Sequence, residues 1–193
     1  MTTIAVTNQK GGVGKSTLTF NLAQNLCKTS KVAILDMDLQ GSMAQLSDIV
    51  SDFTITTDKS ILEEPNKYDF IFIDTPPYLS KDLKYLIQIS DLILIPSKAG
   101  VLDLMAVEST INLISGENKL NSAMVVFNMI KPNTTLTNDI KESLGSYKVK
   151  IAKTHISDLV SFTRSVLLNG VEENHKAQRQ IDNLTKEILT SLL

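Results

Sequence analysis

Eight consecutive residues near the N-terminus narrow the folds open to this chain: Lys10-Gly11-Gly12-Val13-Gly14-Lys15-Ser16-Thr17. They follow an apolar run at 3–7 and open a helical pattern at 15–29. Glycines let successive backbone N–H groups turn inward without a Cβ in the way. A helix starting at Lys15 aims its positive dipole end into the same turn. A strand, a glycine-rich turn and a helix in this order form a phosphate cradle at the edge of a parallel sheet. In such a loop Lys15 reaches the β- and γ-phosphates, the Ser16 hydroxyl ligates Mg²⁺, and Thr17 adds a bond near the α-phosphate. A glycine-rich turn with no ligand leaves two lysines and a hydroxyl pair unexplained.

The rest of the chain repeats the strand–helix alternation. Apolar runs at 32–38, 70–74, 92–96, 123–128 and 149–154 are near-continuous, as expected when helices cover both faces of a parallel sheet. Helical patterns at 41–50, 80–90, 103–115, 136–145, 158–169 and 174–192 separate or follow them. This predicts an α/β fold with a doubly wound, mostly parallel sheet, the P-loop NTPase architecture. Loops are expected at 58–66, 116–121 and 131–135. The last helix puts Ala177, Ile181, Leu184, Ile188 and Leu192 on one stripe; its last fourteen residues carry Lys186 as their sole cation, so the stripe reads as core packing and not as a membrane anchor.

At 193 residues one domain suffices. No apolar run reaches the roughly 18 residues of a membrane span, and the N-terminus lacks the blocks of a signal peptide. With a single cysteine, these features predict a cytoplasmic protein without an intrachain disulfide. Cys27 lies on the apolar stripe of helix 15–29 and reads as a packing residue. His155 and His175 have no Cys or His at zinc-ligand spacing. Residues 141–193 carry eight Lys/Arg and six Asp/Glu, against eleven and fifteen in residues 1–140, which allows a weakly basic C-terminal face.

Two strands end in carboxylates. Run 32–38 closes as Leu35-Asp36-Met37-Asp38, and alternation places Asp36 and Asp38 on one side at the carboxyl end, where ligands of α/β sheets bind. Run 70–74 ends at Asp74 before Thr75-Pro76-Pro77, a Walker B pattern in which Asp74 holds Mg²⁺ through water.

The sequence Lys-Gly-Gly-x-Gly-Lys-Ser, with a lysine ahead of the first glycine, resembles the deviant Walker A ATPases of the ParA/MinD family, and most resembles small plasmid-type ParA partition ATPases. The segment Asp36-Met37-Asp38-Leu39-Gln40-Gly41 is similar to that family's D-x-D-P-Q-G, with leucine where proline is usual. Phe162-Thr163-Arg164 and Gly170-Val171-Glu172-Glu173 resemble a C-terminal family region. The resemblance implies a slow, partner-stimulated ATPase using Mg²⁺ and ATP/ADP. It gives Lys10 a role in trans on the partner's nucleotide, Asp38 the attacking water, and Asp36 the water shell of the Mg²⁺. Asn128, ending run 123–128, would contact adenine; an asparagine opening the turn before Lys131-Pro132 is the plain alternative. Ile156 and Asp158 in Thr154–Asp158 would neighbour the base.

The same resemblance implies partners: a homodimer when ATP is bound, a ParB-like centromere-binding protein, and DNA held without sequence preference, with the protein on the nucleoid in that state. Arg164, Lys176 and Arg179 are the candidate DNA contacts, with Lys150 and Lys153 behind them. With the glycine loop starting near residue 10, no N-terminal DNA-binding domain is expected. A MinD-like, membrane-associated positioning ATPase is the alternative reading; the weakly charged last helix counts against it.

Overall fold

The computed structural model describes residues 1–38, 43–132 and 136–193, with backbone alone for 136–139 and 141. Among the described residues, seven strands form one parallel sheet: β1 (Thr2–Val6), β2 (Val32–Asp36), β3 (Thr54–Thr56), β4 (Phe70–Asp74), β5 (Leu92–Ser97), β6 (Ala123–Phe127) and β7 (Lys150–Ile151). Their order is β3-β2-β4-β1-β5-β6-β7, with every pairing parallel. The helices are α1 (Lys15–Leu26), α2 (Leu83–Ile89), α3 (Val101–Gly116), α4 (Leu136–Gly145), α5 (Val160–Arg164) and α6 (His175–Ser191).

Alternate residues of each central strand face opposite layers, which is why the runs are apolar throughout. Ile4 and Val6 of β1 join Ile34, Phe72, Leu94 and Val126 in a core shared with Leu18, Leu22 and Leu26 of α1 and with Ile181, Leu184 and Ile188 of α6. On the other face Ala5, Ile93 and Phe127 pack with Val107, Ile111 and Ile114 of α3. The apolar stripe of α6 is thus consumed by the core: Ala177, Ile181, Leu184 and Ile188 are buried, and Leu192 packs at its margin.

Four expectations are corrected. The strand of run 32–38 ends at Asp36, so Asp38 lies beyond the sheet. In place of a helix over 41–50, the described part is a 3₁₀ turn at Ala44–Leu46, pinned by the Asp36 carboxylate, which accepts the N–H groups of Met43 and Ala44 at 3.1 and 2.9 Å. Leu39, Gln40, Gly41 and Ser42, including the leucine at the family's proline position, lie outside the described residues, as does most of the loop expected at 131–135. The helix over 158–169 shortens to Val160–Arg164, because Gly170 N–H turns back to the Ser165 carbonyl at 2.7 Å. The run 149–154 pairs only at Lys150–Ile151. An edge strand at Thr54–Thr56 carries no clear alternation signal in the sequence. Cys27 is half-buried at the core margin, where desolvation pushes its thiol up.

Candidate functional site

Strand order builds the site. Because β4 lies between β1 and β2, Val6 is level with Asp74 and Asp74 is level with Asp36. The glycine loop leaves β1 at that same carboxyl edge, so loop, Asp74 and Asp36 stand side by side along three adjacent strand ends. Ligands bind at such edges where the strand order reverses.

Asn8, fully buried, anchors the loop. Its amide donates to the Pro96 carbonyl of β5 at 2.9 Å, and its oxygen accepts Lys10 N–H at 2.9 Å. Gly12 and Gly14 both have positive φ, 69° and 86°. At Gly14 a Cβ would fall 2.4 Å from the Asn128 side-chain nitrogen, so this position needs glycine on conformational and steric grounds together. Asn128 sits there because its amide donates to the Val13 carbonyl at 2.8 Å while its oxygen accepts Met129 N–H at 3.0 Å. It therefore ties the loop to the end of β6 as well as lining the neighbouring cavity.

Lys15, the first residue of α1, is buried, and its ammonium donates to the Lys10 carbonyl at 3.3 Å. Burial lowers its pKa, against the opposing pull of Asp74 and Asp38. Asp74 is fully buried, and neither of its oxygens makes a well-formed hydrogen bond among the described residues. Burial pushes its carboxyl up to about 7; the nearby Ser16 hydroxyl and Lys15 oppose the rise, and Asp36 and Asp38 add to it. A fully buried carboxylate beside a hydroxyl and an ammonium fits a hard cation. These oxygens suit Mg²⁺, which takes one or two protein ligands and completes its shell from phosphates and water. The Asp36 carboxylate is already engaged by the N–H groups of Asp38, Met43 and Ala44, so it shapes the segment that carries Asp38.

Thr17, Asn128, Ile156 and Asp158 meet on the walls of one cavity of about 170 Å³ beside α1. The candidate cations for a polyanion lie elsewhere. Arg164, Lys176 and Arg179 are all exposed, and Arg164 borders a separate groove of about 260 Å³ next to the start of α6.

Sequence reading missed Asp103. Its carboxylate, in the first turn of α3, holds the Lys10 ammonium at 2.7 Å. An acid at a helix start is locally unremarked, and the partner lies on a different strand end. Gln180 and Glu187 of α6 were missed for the same reason.

Known proteins share this fold. The profile of the CobQ/CobB/MinD/ParA nucleotide binding domain (CbiA) matches residues 4–169. A maintenance of carboxysome distribution protein A from Halothiobacillus neapolitanus is 28% identical, covering 98% of this chain and 97% of its own. A plasmid partition protein from Borrelia burgdorferi B31, solved bound to AMPPNP, superposes with a TM-score of 0.78 at 22% identity, over 100% of this chain and 99% of that one. MinD in the MinC:MinD complex of Aquifex aeolicus gives 0.82 at 20% identity, over 98% and 96%. With a profile covering most of its length, the chain belongs to the CobQ/CobB/MinD/ParA family of nucleotide-binding domains.

Proposed function

We infer that this chain is a ParA-type ATPase of DNA partition: Mg·ATP closes two copies face to face, the dimer binds DNA without sequence preference, and partner-stimulated hydrolysis releases it. The observation that carries the reading is the division of labour between two lysines. Lys15 occupies its own glycine loop, whereas the Lys10 ammonium points out of that loop to Asp103 on α3. A second lysine at the rim but outside the cradle fits a charge delivered to the phosphates of a facing copy. Exposed Val101, Leu102 and Met105 surround Asp103 in sequence and supply an apolar margin for such a contact.

Within one copy, the loop N–H groups and Lys15 bind the β- and γ-phosphates. Mg²⁺, held from Ser16 and Asp74 with Asp36 behind, would neutralise phosphate charge. Asp38, half-buried just past β2, orients the attacking water. A ParB-like protein is the expected stimulator. Arg164, Lys176 and Arg179 form the DNA face, with Lys176 and Arg179 one helical turn apart.

The relative from Halothiobacillus supports a second reading, in which the same switch distributes a protein-bound cargo instead of a plasmid. A MinD-like membrane role through α6 is disfavoured because the apolar face of that helix is buried. No described helix is long and apolar enough to cross a membrane.

The test is light scattering of Asp38→Ala with ADP and with Mg·ATP, adding duplex DNA or anionic liposomes to each. The reading expects a dimer with Mg·ATP alone, and salt-sensitive binding of that dimer to DNA. A protein that stays monomeric in every nucleotide sinks it, and an ATP dimer that ignores DNA but floats with liposomes moves it to the MinD-like role.

A further inference from the structure

The wall of the 170 Å³ cavity at Ile156–Leu159 lies outside the named strands and helices. Its backbone runs beside the end of β6 through an isolated parallel bridge, Ile130 to Ser157, in which Ile156 N–H donates to the Phe127 carbonyl at 2.9 Å, Ile130 N–H to the Ile156 carbonyl at 2.9 Å and Asp158 N–H to the Ile130 carbonyl at 3.0 Å. Those bonds hold one edge of the segment, and a second support fixes its shape from the other side. That second support comes from α6. The Glu187 carboxylate accepts Lys153 N–H at 2.7 Å, Thr154 N–H at 2.8 Å and the Thr154 hydroxyl at 2.5 Å. Two turns earlier, the Gln180 side-chain oxygen accepts Ser157 N–H at 3.1 Å while its amide donates to the Ser157 hydroxyl at 2.8 Å. Residues seven apart share one helix face, so the two side chains grip both ends of the segment from a single rigid element.

That element is itself fixed to the helix that opens at the phosphate loop. Ile181, Leu184 and Ile188 share a core with Leu18, Leu22 and Leu26 of α1. Between the helices, Asn25 of α1 accepts from Gln178 at 3.0 Å and donates to Thr185 at 3.1 Å. So α6 sets the distance between the phosphate cradle, at the start of α1, and the wall that closes the nucleoside cavity.

We propose that Gln180 and Glu187 are positioning residues for the base of the bound nucleotide, acting through the backbone of residues 153–157 and not by touching the ligand. The inference rests on the nucleotide reading above and adds what sets base affinity. A wall held in its bound shape loses little freedom when the base arrives; a loosened wall must be ordered at the expense of affinity. Phosphate contacts, made by the loop and Lys15, do not pass through these residues.

The experiment measures binding of Mg·ADP and Mg·CDP by calorimetry to the parent chain, Gln180→Ala, Glu187→Gln and Glu187→Ala, with melting curves for each. The two ligands share their phosphates and differ in the base. Expected is a parent that prefers ADP, a loss of about tenfold in ADP affinity for Gln180→Ala and Glu187→Ala, and CDP affinity held within about twofold. Glu187→Gln, which keeps one acceptor oxygen, falls between. Gln180→Ala removes two half-buried hydrogen bonds, both to Ser157, and keeps the test open if Glu187→Ala fails to fold. Parallel loss of both ligands, or no loss of either, overturns the positioning role while leaving the nucleotide reading intact. A parent that binds neither ligand overturns the nucleotide reading and this inference with it.

Discussion

The Lys10 ammonium lies 2.7 Å from the Asp103 carboxylate, so the lysine expected to act on a facing copy is held in its own subunit by the first turn of α3. Lys10 is about one-third exposed, which keeps the pair modest in strength: about 1 kcal/mol. Asp103→Asn keeps the shape and removes the hold. Two such pairs open for each dimer formed, so dimerisation by Mg·ATP should then occur at roughly thirtyfold lower protein concentration, by sedimentation or light scattering, with ADP affinity unchanged. An unchanged dimerisation midpoint would remove any restraining role for the pair.

Asp74 should make the ligand-free fold sensitive to pH. Its carboxyl is raised to about 7 by burial, whereas an unfolded aspartate ionises near 3.9. The folded chain therefore keeps a proton that the unfolded chain has released, and this stability, fully present below about pH 4, is lost as pH rises through about 7. Three units at 1.36 kcal/mol each set a ceiling of about 4 kcal/mol. Asp74→Asn should raise the melting temperature of the ligand-free protein at pH 8, flatten its slope between pH 5 and 8, and abolish further protection by Mg·ATP. A variant that melts lower than the parent at pH 8 contradicts this.

Gly14→Ala forces a side chain into positive φ and to within 2.4 Å of the Asn128 nitrogen. The expected cost is about 1–3 kcal/mol of stability together with loss of nucleotide binding. Combining it with Asn128→Ala removes the collision but not the backbone strain, so denaturant melts of the pair should show partial recovery. Strict additivity would mean that the two residues do not press on each other.

Lys15→Gln should weaken ATP binding by about 100-fold or more, since a buried ammonium aimed into the cradle gives way to a neutral amide. Fluorescent-nucleotide titration reads this directly, and near-parental affinity would displace Lys15 from the phosphate site.

Charge reversal at Arg164, Lys176 and Arg179 should weaken DNA binding of the ATP-bound protein alike for every sequence. Each residue lost as a phosphate contact should lower the slope of log affinity against log salt by about one. An unaltered slope in all three variants would place the DNA face elsewhere.

Local pattern carried the glycine loop, the carboxylate-ended strand at 70–74 and the buried stripe of α6, because each is written within a few turns or one strand of chain. The strand at Thr54–Thr56 escaped, since three residues at a sheet edge carry too little periodicity. The helix read at 158–169 failed for a different reason. Its apolar spacing is real, but buried Ser165, bonded to Asn21, and the return of Gly170 end the helix early.

By itself the sequence determined that a parallel sheet would carry a glycine-rich loop opening a helix at Lys15, with two further strands ending in Asp36 and Asp74, because glycine stereochemistry and strand periodicity act within short spans. Tertiary structure alone decided that β4 would pass between β1 and β2 and set Asp74 beside the loop, that Asp103 would hold Lys10, and that Gln180 and Glu187 would grip the cavity wall. Those pairings join residues tens to more than ninety positions apart, and only packing of the whole core fixes which distant groups meet.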